Sequence, residues 1–413
     1  MSWISIICFS AFFLLLISLF NKGTDIFAPA RIFLLVWTLA IGLTELKLSR
    51  FQFEWSSWSW MILLLTLFSF LIGVFVVYVI NSDKKLIPIK ATREYFKSFE
   101  IDYHYLYKSI NLLFVLYIIS YLASFIIIGY LPIFASRPEI RSQWGIFGFG
   151  LLTHLPPTLL YLSTLFLFFN RNDKEKKIII LFMSVVTFAT HLFLLHRFDF
   201  FLWIILTIVF LYYASDKIKT RYVLFFIIFV IGLMYGISLF RTSKFIADVI
   251  YYLGDMKYSI KYAIFTEPYM YFAMNLENFS NGVDKLKVFD YGVHTFDFLL
   301  ALTGLKYPLA EYLKVKEFPH MITNNFNTYT MFYIYYRDFG VVGITLLPFI
   351  LGSIVSSFYF SMRRFPSIFS ISIYGLLLFV VLLSFFVNML AWLHFVFNLS
   401  IILLITRRLG EKE

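Results

Sequence analysis

What most restricts this chain is a recurring pattern of mostly apolar runs, each close to the roughly 20 residues that a helix needs to cross a bilayer, separated by short polar connections. Such runs fall at 3–20, 27–46, 58–80, 110–130, 149–169, 178–195, 199–214, 222–239, 339–361, 369–388 and 391–406, about eleven spans by that length rule. With 61% hydrophobic, 22% aromatic and only 14% charged residues, an ordinary soluble domain is excluded. The expected fold is therefore all-α and polytopic: residues 1–413 form a single membrane domain, with one large helical connection at 240–338.

The formal charge of +11 does not point to nucleic acid, because the basic residues sit in short clusters between apolar runs, as cytoplasmic loops do. Those clusters are Lys84 to Lys108, Arg171 to Lys177, Lys217 to Arg221, Arg363 with Arg364, and Arg407 with Arg408. Placing all five inside is self-consistent. The alternating count then leaves the N-terminus outside, Lys22 inside and Lys47 and Arg50 outside, so the first two spans follow the rule least well. Met-Ser-Trp opens the chain without a basic segment or a small-residue cleavage site, and the first apolar run is expected to stay as a span. Cys8 is the single cysteine, which excludes an internal disulfide and a cysteine metal cluster.

The same count puts 131–148, 196–198 and 240–338 on the external face. In the last, Phe245, Val249, Tyr252 and Leu253 recur at helical spacing, as do Tyr269, Phe272, Ala273 and Leu276; they predict interfacial or partly buried helices. There is no Gly-rich phosphate loop, zinc-type histidine pair or tandem repeat, so neither an ATP-driven mechanism nor a metal or other cofactor is expected. Four arginines lie at or near external ends of spans: Arg137, Arg141, Arg197 and Arg241. A guanidinium at that depth either snorkels or serves a site, and its planar fork suits phosphate oxygens. Arg197 stands at a very short connection, His196-Arg197-Phe198-Asp199, where the simpler reading is an Arg197–Asp199 surface pair. His191 and His196 lie near that connection, His154 and His394 within spans, and His294 and His320 in the long connection; each alone reads as a hydrogen-bonded histidine before it reads as a catalyst. The external acids Glu139, Asp248, Asp255, Glu267, Glu277, Asp290, Asp297, Glu311, Glu317 and Asp338 read mostly as solvated, with one of them open to a general-base role.

The most informative stretch is Asn327-Thr-Tyr-Thr-Met-Phe-Tyr-Ile-Tyr-Tyr-Arg-Asp-Phe-Gly-Val-Val-Gly343, which leads straight into the apolar run after it. The Arg337-Asp338 pair at the mouth of a span either anchors the helix at the headgroup level or belongs to a site. Tyr329, Tyr333 and Tyr336 fall at i, i+4 and i+7, and Gly340 and Gly343 extend that face; a continuous helix would carry an aromatic stripe running into a small-residue stripe. Such aromatics stack on sugars as readily as they pack on protein. The Asp338-Phe-Gly match to the kinase magnesium motif lacks every accompanying kinase signature.

With Pro348 and Gly352 following in the span, this stretch resembles the Asn-x-Tyr-Thr…Asp-Phe-Gly-x-x-Gly signature of Wzy-type O-antigen or oligosaccharide repeat unit polymerases. Tyr130-Leu-Pro-Ile-Phe…Arg141, Arg197 at a tight hairpin, Arg241 after the eighth span and Gly292-Val-His-Thr-Phe296 look similar in the same order, so the resemblance covers most of 110–361. Arg337 departs from it, standing where members carry an aliphatic or aromatic residue. The resemblance implies a GT-C-like, multi-pass glycosyltransferase of the bacterial inner membrane with a periplasmic active site. It would join undecaprenyl-diphosphate-linked oligosaccharides without a cofactor, with membrane lipid and a chain-length regulator protein as further partners. On this basis Asp338, Arg197, Arg241 and His294 are expected to be catalytic. Arg137, Arg141, Asn327, Tyr329, Tyr336 and Arg337 are expected to bind substrate. The alternatives are the O-antigen ligase, which the Asp-Phe-Gly stretch disfavours, and a flippase or transporter of the same lipid-linked saccharide, which would carry its charges through the bilayer centre rather than at one face. A membrane O-acyltransferase would rest on His154 or His394.

Overall fold

The computed structural model describes residues 2–21, 23–135, 144–146, 148–170, 173–216, 218, 244–313 and 320–409. Among them all regular structure is helical, apart from an isolated antiparallel bridge between Ser49 and Met256. Helices stand at every expected apolar run except 222–239, which lies outside the described residues. Among the described residues, six helical segments, some of them interrupted, are long and apolar enough to cross a membrane: Ser57–Ile80, Tyr103–Phe134, Phe149–Phe169, Lys174–Leu194, Arg197–Ala214 and Met331–Arg364. Trp3–Ser18, Pro29–Thr44 and Ile368–Leu383 are apolar but shorter. A polytopic membrane protein is consistent with this set.

The chain divides into two compact units. One comprises Met1–Lys85, Lys219–Phe360 and Val380–Leu393, the other Leu86–Ile218, Ser361–Phe379 and His394–Glu413.

In the first unit, the Ser56 hydroxyl caps Ser57–Ile80 by accepting from the Ser59 N–H at 3.0 Å. This helix meets Met331–Arg364 at a small-residue seam: a Cβ on Gly73 would stand 2.1 Å from the Phe349 carbonyl oxygen, and one on Gly352 2.2 Å from that of Phe70. Lack of a side chain is what lets the two backbones approach so closely. The hydroxyls of Ser353 and Ser356 donate across the same seam to the carbonyls of Gly73 and Val74.

The long connection does not lie on the surface as a whole. Helix Thr266–Lys285 buries Tyr269, Ala273 and Leu276 and packs against Pro29–Thr44 and Ser57–Ile80. Its polar face is occupied too: Asn278 Nδ2 donates to the carbonyls of Phe326 and Thr328 at 2.9 and 3.0 Å, and Asn281 Nδ2 to that of His320 at 2.5 Å. With partners on both faces, this is a core helix rather than an interfacial one. Tyr252 and Leu253 of Lys244–Leu253, by contrast, are exposed. A buried polar knot fastens the segment after the second helix to the connection. Glu277 accepts from Lys47 Nζ at 2.8 Å, Trp55 Nε1 at 3.0 Å and Gln52 Nε2 at 3.2 Å, while outside the knot the exposed Arg50 pairs with Asp255 at 2.7 Å. Lys47 and Arg50 are thus held against the long connection, each by an acidic partner there.

In the second unit, Asp102 and Asp173 cap Tyr103–Ile128 and Lys174–Leu194, accepting from the N–H groups of Tyr105 and Lys176 at 2.8 and 3.0 Å. The apolar run 149–169 is not one continuous helix. Phe149–Leu152 stops, and Pro156 and Pro157, which have no N–H to give, open Pro156–Phe169. Lys174–Leu194 and Arg197–Ala214 are joined by Leu195 and His196 alone, with Leu195 in the left-handed region at φ 60°.

Candidate functional site

The stretch singled out by its tyrosines and Arg-Asp pair enters a helix at Met331, and that helix is broken at Gly340, whose φ of 60° and ψ of −140° belong to glycine. A face running unbroken from Tyr329 to Gly343 is thus not formed. The break organises a site instead. Just before it, the carbonyls of Arg337 and Asp338 each accept a backbone N–H from the long connection, from Asp290 and Tyr291, both at 3.1 Å. Tyr291 and Gly292 both have positive φ, and this sharp turn brings 290–295 back over Asp338.

Four side chains meet there. The Asp338 carboxylate, fully buried, accepts the Thr295 N–H at 2.5 Å on Oδ2 and the His294 N–H at 3.4 Å on Oδ1. Asp290 Oδ2 accepts from Arg337 Nε at 2.5 Å and lies 3.2 Å from His294 Nε2. Arg337 is 2% exposed, whereas Asp290 and His294 keep 15% and 20% of their side-chain surface open, so the histidine and its carboxylate are the accessible members. Burial pushes the Asp290 carboxyl up, but the His294 hydrogen bond and the Arg337 guanidinium outweigh it and hold it below the usual carboxylate range. An imidazole oriented by an ionised carboxylate, itself held by a buried guanidinium, is equipped to accept a proton and to stabilise the resulting imidazolium. Asp290, His294 and Asp338 place one donor atom each within 4.8 Å of one another, a spacing open to a metal ion. Backbone N–H groups and Arg337 already satisfy the carboxylates, which favours proton transfer over metal binding here.

The other expected residues are placed as follows. Tyr329 is buried before the helix, stacked on Tyr333 with ring centroids 4.4 Å apart, and Tyr336 is buried with its ring edge-on to Phe289 and its hydroxyl 3.4 Å from Trp58 Nε1. Asn327 is exposed. Arg197 begins its helix in the other unit, half-buried. Its neighbour Asp199 is not in a surface pair with it: Asp199 is 5% exposed and faces His154, His191 and His196. Arg137, Arg141 and Arg241 lie outside the described residues. Asp290 is the site residue that the sequence does not distinguish from its acidic neighbours; its i, i+4 spacing to His294 is the one signal it leaves.

Comparison of the chain with models of known protein families, with characterised proteins and with solved structures finds no match.

Proposed function

We propose that the chain is a Wzy-type polymerase: a multi-pass glycosyltransferase of the bacterial inner membrane, with about eleven spans by the length rule and a GT-C-like architecture. It would assemble undecaprenyl-diphosphate-linked repeat units into O-antigen or capsular polysaccharide on the periplasmic face. The observation that carries this reading is the His294–Asp290–Arg337 array, which the fold sets beside Asp338 of the stretch that resembles the polymerase signature, with His294 coming from the separate similar segment Gly292–Phe296. In the proposed step the acceptor sugar hydroxyl attacks the anomeric carbon of the growing chain. The carbon–oxygen bond to the diphosphate breaks, undecaprenyl diphosphate leaves, and the hydroxyl proton passes to His294.

With Nε2–H directed at Asp290, the basic nitrogen of His294 is Nδ1, and Asp290 stabilises the imidazolium. Asp338 acts through the backbone, fixing residues 294 and 295. Arg337 orients Asp290 in place of touching glycan. By the resemblance alone, Arg197, together with Arg137, Arg141 and Arg241, is assigned the diphosphate, whose leaving charge guanidinium groups can offset without a bound metal. Expression in a polymerase-null strain of the native host tests this through the polysaccharide ladder on a gel. The wild-type chain should restore the ladder, while His294→Ala and Asp290→Asn should leave single repeats. A wild type that restores nothing overturns the polymerase reading; variants that restore the full ladder overturn the site.

A further inference from the structure

Four histidines from three separate regions of the chain gather in the second unit around the Asp199 carboxylate. His191 lies in the last turn of Lys174–Leu194, His196 and Asp199 follow the left-handed Leu195, His154 sits in the break before Pro156, and His394 lies in the first turn of Leu393–Arg408. A single oxygen, Asp199 Oδ2, lies 2.9 Å from His154 Nδ1, 3.5 Å from His191 Nε2 and 3.7 Å from His196 Nδ1. The His154 ring is stacked against both His196, at 4.5 Å between centroids, and His394, at 4.4 Å.

Hydrogen bonding does not account for this gathering. One carboxylate oxygen cannot accept well from three imidazoles. Among the described residues, both ring nitrogens of His191 and Nδ1 of His196 are buried without a hydrogen-bond partner, and His191 has no exposed surface. Each such orphan is destabilising, and protonation is a poor remedy, because it would set like charges face to face in the ring stack. A cation that accepts lone pairs satisfies the orphans and the carboxylate together.

We infer that His154, His191, His196 and Asp199 form a binding site for a divalent first-row transition-metal ion of the zinc class. Three imidazoles and a carboxylate, with no thiolate, suit Zn²⁺ and its analogues better than Ca²⁺ or Mg²⁺. The donor atoms of His154, His196 and Asp199 lie within 4.8 Å of one another. The ligand edges of a tetrahedral zinc site are about 3.3 Å and each ligating lone pair lies in its ring plane, so binding draws the side chains inward, His191 included, and turns the parallel rings of His154 and His196 apart. Four protein donors close the coordination shell, which makes the ion a clip on three helix ends rather than a catalyst. Support comes from Asn398, whose Nδ2 donates to the carbonyls of His154 and His394 at 2.8 and 2.9 Å while its Oδ1 accepts from Thr158 at 2.5 Å. This departs from the expectation of a metal-free chain. It stands apart from the proposed transferase chemistry.

The full chain in detergent, stripped with a chelator and dialysed, should take up one equivalent of Zn²⁺ by elemental analysis. Co²⁺ should give the visible absorption of a tetrahedral site, displaced by Zn²⁺, and Zn²⁺ should raise the thermal midpoint. His191→Ala and Asp199→Asn should each abolish the band and the shift, and Asn398→Ala should weaken binding by about 10–100-fold. His394→Ala should retain the ion. A stripped wild type that gains neither metal nor thermal stability overturns the site, whatever the variants do. Undiminished binding by monodisperse His191→Ala places the ion elsewhere and overturns it as well.

Discussion

Replacing Gly340 by alanine probes the break on which the Asp290–His294–Arg337–Asp338 site depends. At φ 60° and ψ −140° an L residue occupies a region that is almost glycine's alone, at a cost of roughly 1–3 kcal/mol. The added Cβ would also stand 2.7 Å from Phe289 Cζ and 3.0 Å from its Cε1, so the ring must move. Phe289 is partly exposed and can give, which limits the steric share to about 1 kcal/mol and the total to roughly 2–4 kcal/mol. Gly304→Ala is the matched control: φ there is 74°, but nothing lies within 4 Å of the new Cβ, leaving a left-handed penalty of about 1 kcal/mol. Unfolding free energies from detergent titration of the purified variants measure the difference. Because Phe289 precedes Asp290, Gly340→Ala should also impair polysaccharide assembly, and Gly304→Ala should not. Equal stability losses would refute the reasoning, since the break would then carry no strain and no contact beyond an ordinary left-handed turn.

Lys47→Met removes the cation beside Glu277, whose carboxyl burial already pushes up against the opposing pull of Lys47, Trp55 and Gln52. An acid raised in the folded state favours folding below its unfolded value, and that contribution is lost as pH rises through the folded one. The variant should therefore lose about 3 kcal/mol at mildly alkaline pH and less in acid, as unfolding titrations at several pH values would show; a loss independent of pH contradicts this. Asp290 has the opposite sign. Its carboxyl is held below the usual range, so its share of stability is complete above about pH 4 and fades as pH falls through the folded value. The gap between wild type and Asp290→Asn should thus be constant near neutrality and close in acid. Tyr333→Phe deletes a buried hydroxyl that has no hydrogen-bond partner among the described residues, and should change stability by less than about 0.5 kcal/mol; a loss above 1.5 kcal/mol would mean that the hydroxyl is bonded.

The helical character of the chain, with segments long and apolar enough to cross a membrane, is legible because bilayer thickness sets the length such runs need, and that constraint is local. Breaks within those runs are harder to read. Gly340 continues the spacing of Tyr329, Tyr333 and Tyr336, so in sequence it extends a helix face, and only the contact with 290–291 shows that it interrupts one. Pro156-Pro157 is a plainer signal, but it marks a new helix start instead of a bend in one span. Arg337, Asp338 and His294 stand out in sequence by position. Asp290 does not, because its partner Arg337 is 47 positions away and no local rule joins them. The same holds for the histidines: spacing rules for metal ligands look for close pairs, whereas 154, 191, 196, 199 and 394 meet through the packing of helix ends.

The proposed transfer is open to a direct assay. The purified protein, reconstituted in bilayers with undecaprenyl-diphosphate-linked repeat units of its host as the sole saccharide, is incubated and the products are separated by chain length while free undecaprenyl diphosphate is followed. A ladder of linked repeats should form, with one carrier released per bond formed, at a rate reduced by about 10²–10⁴-fold in His294→Ala. Unchanged single repeats, or chains that lengthen at the same rate without His294, would contradict it.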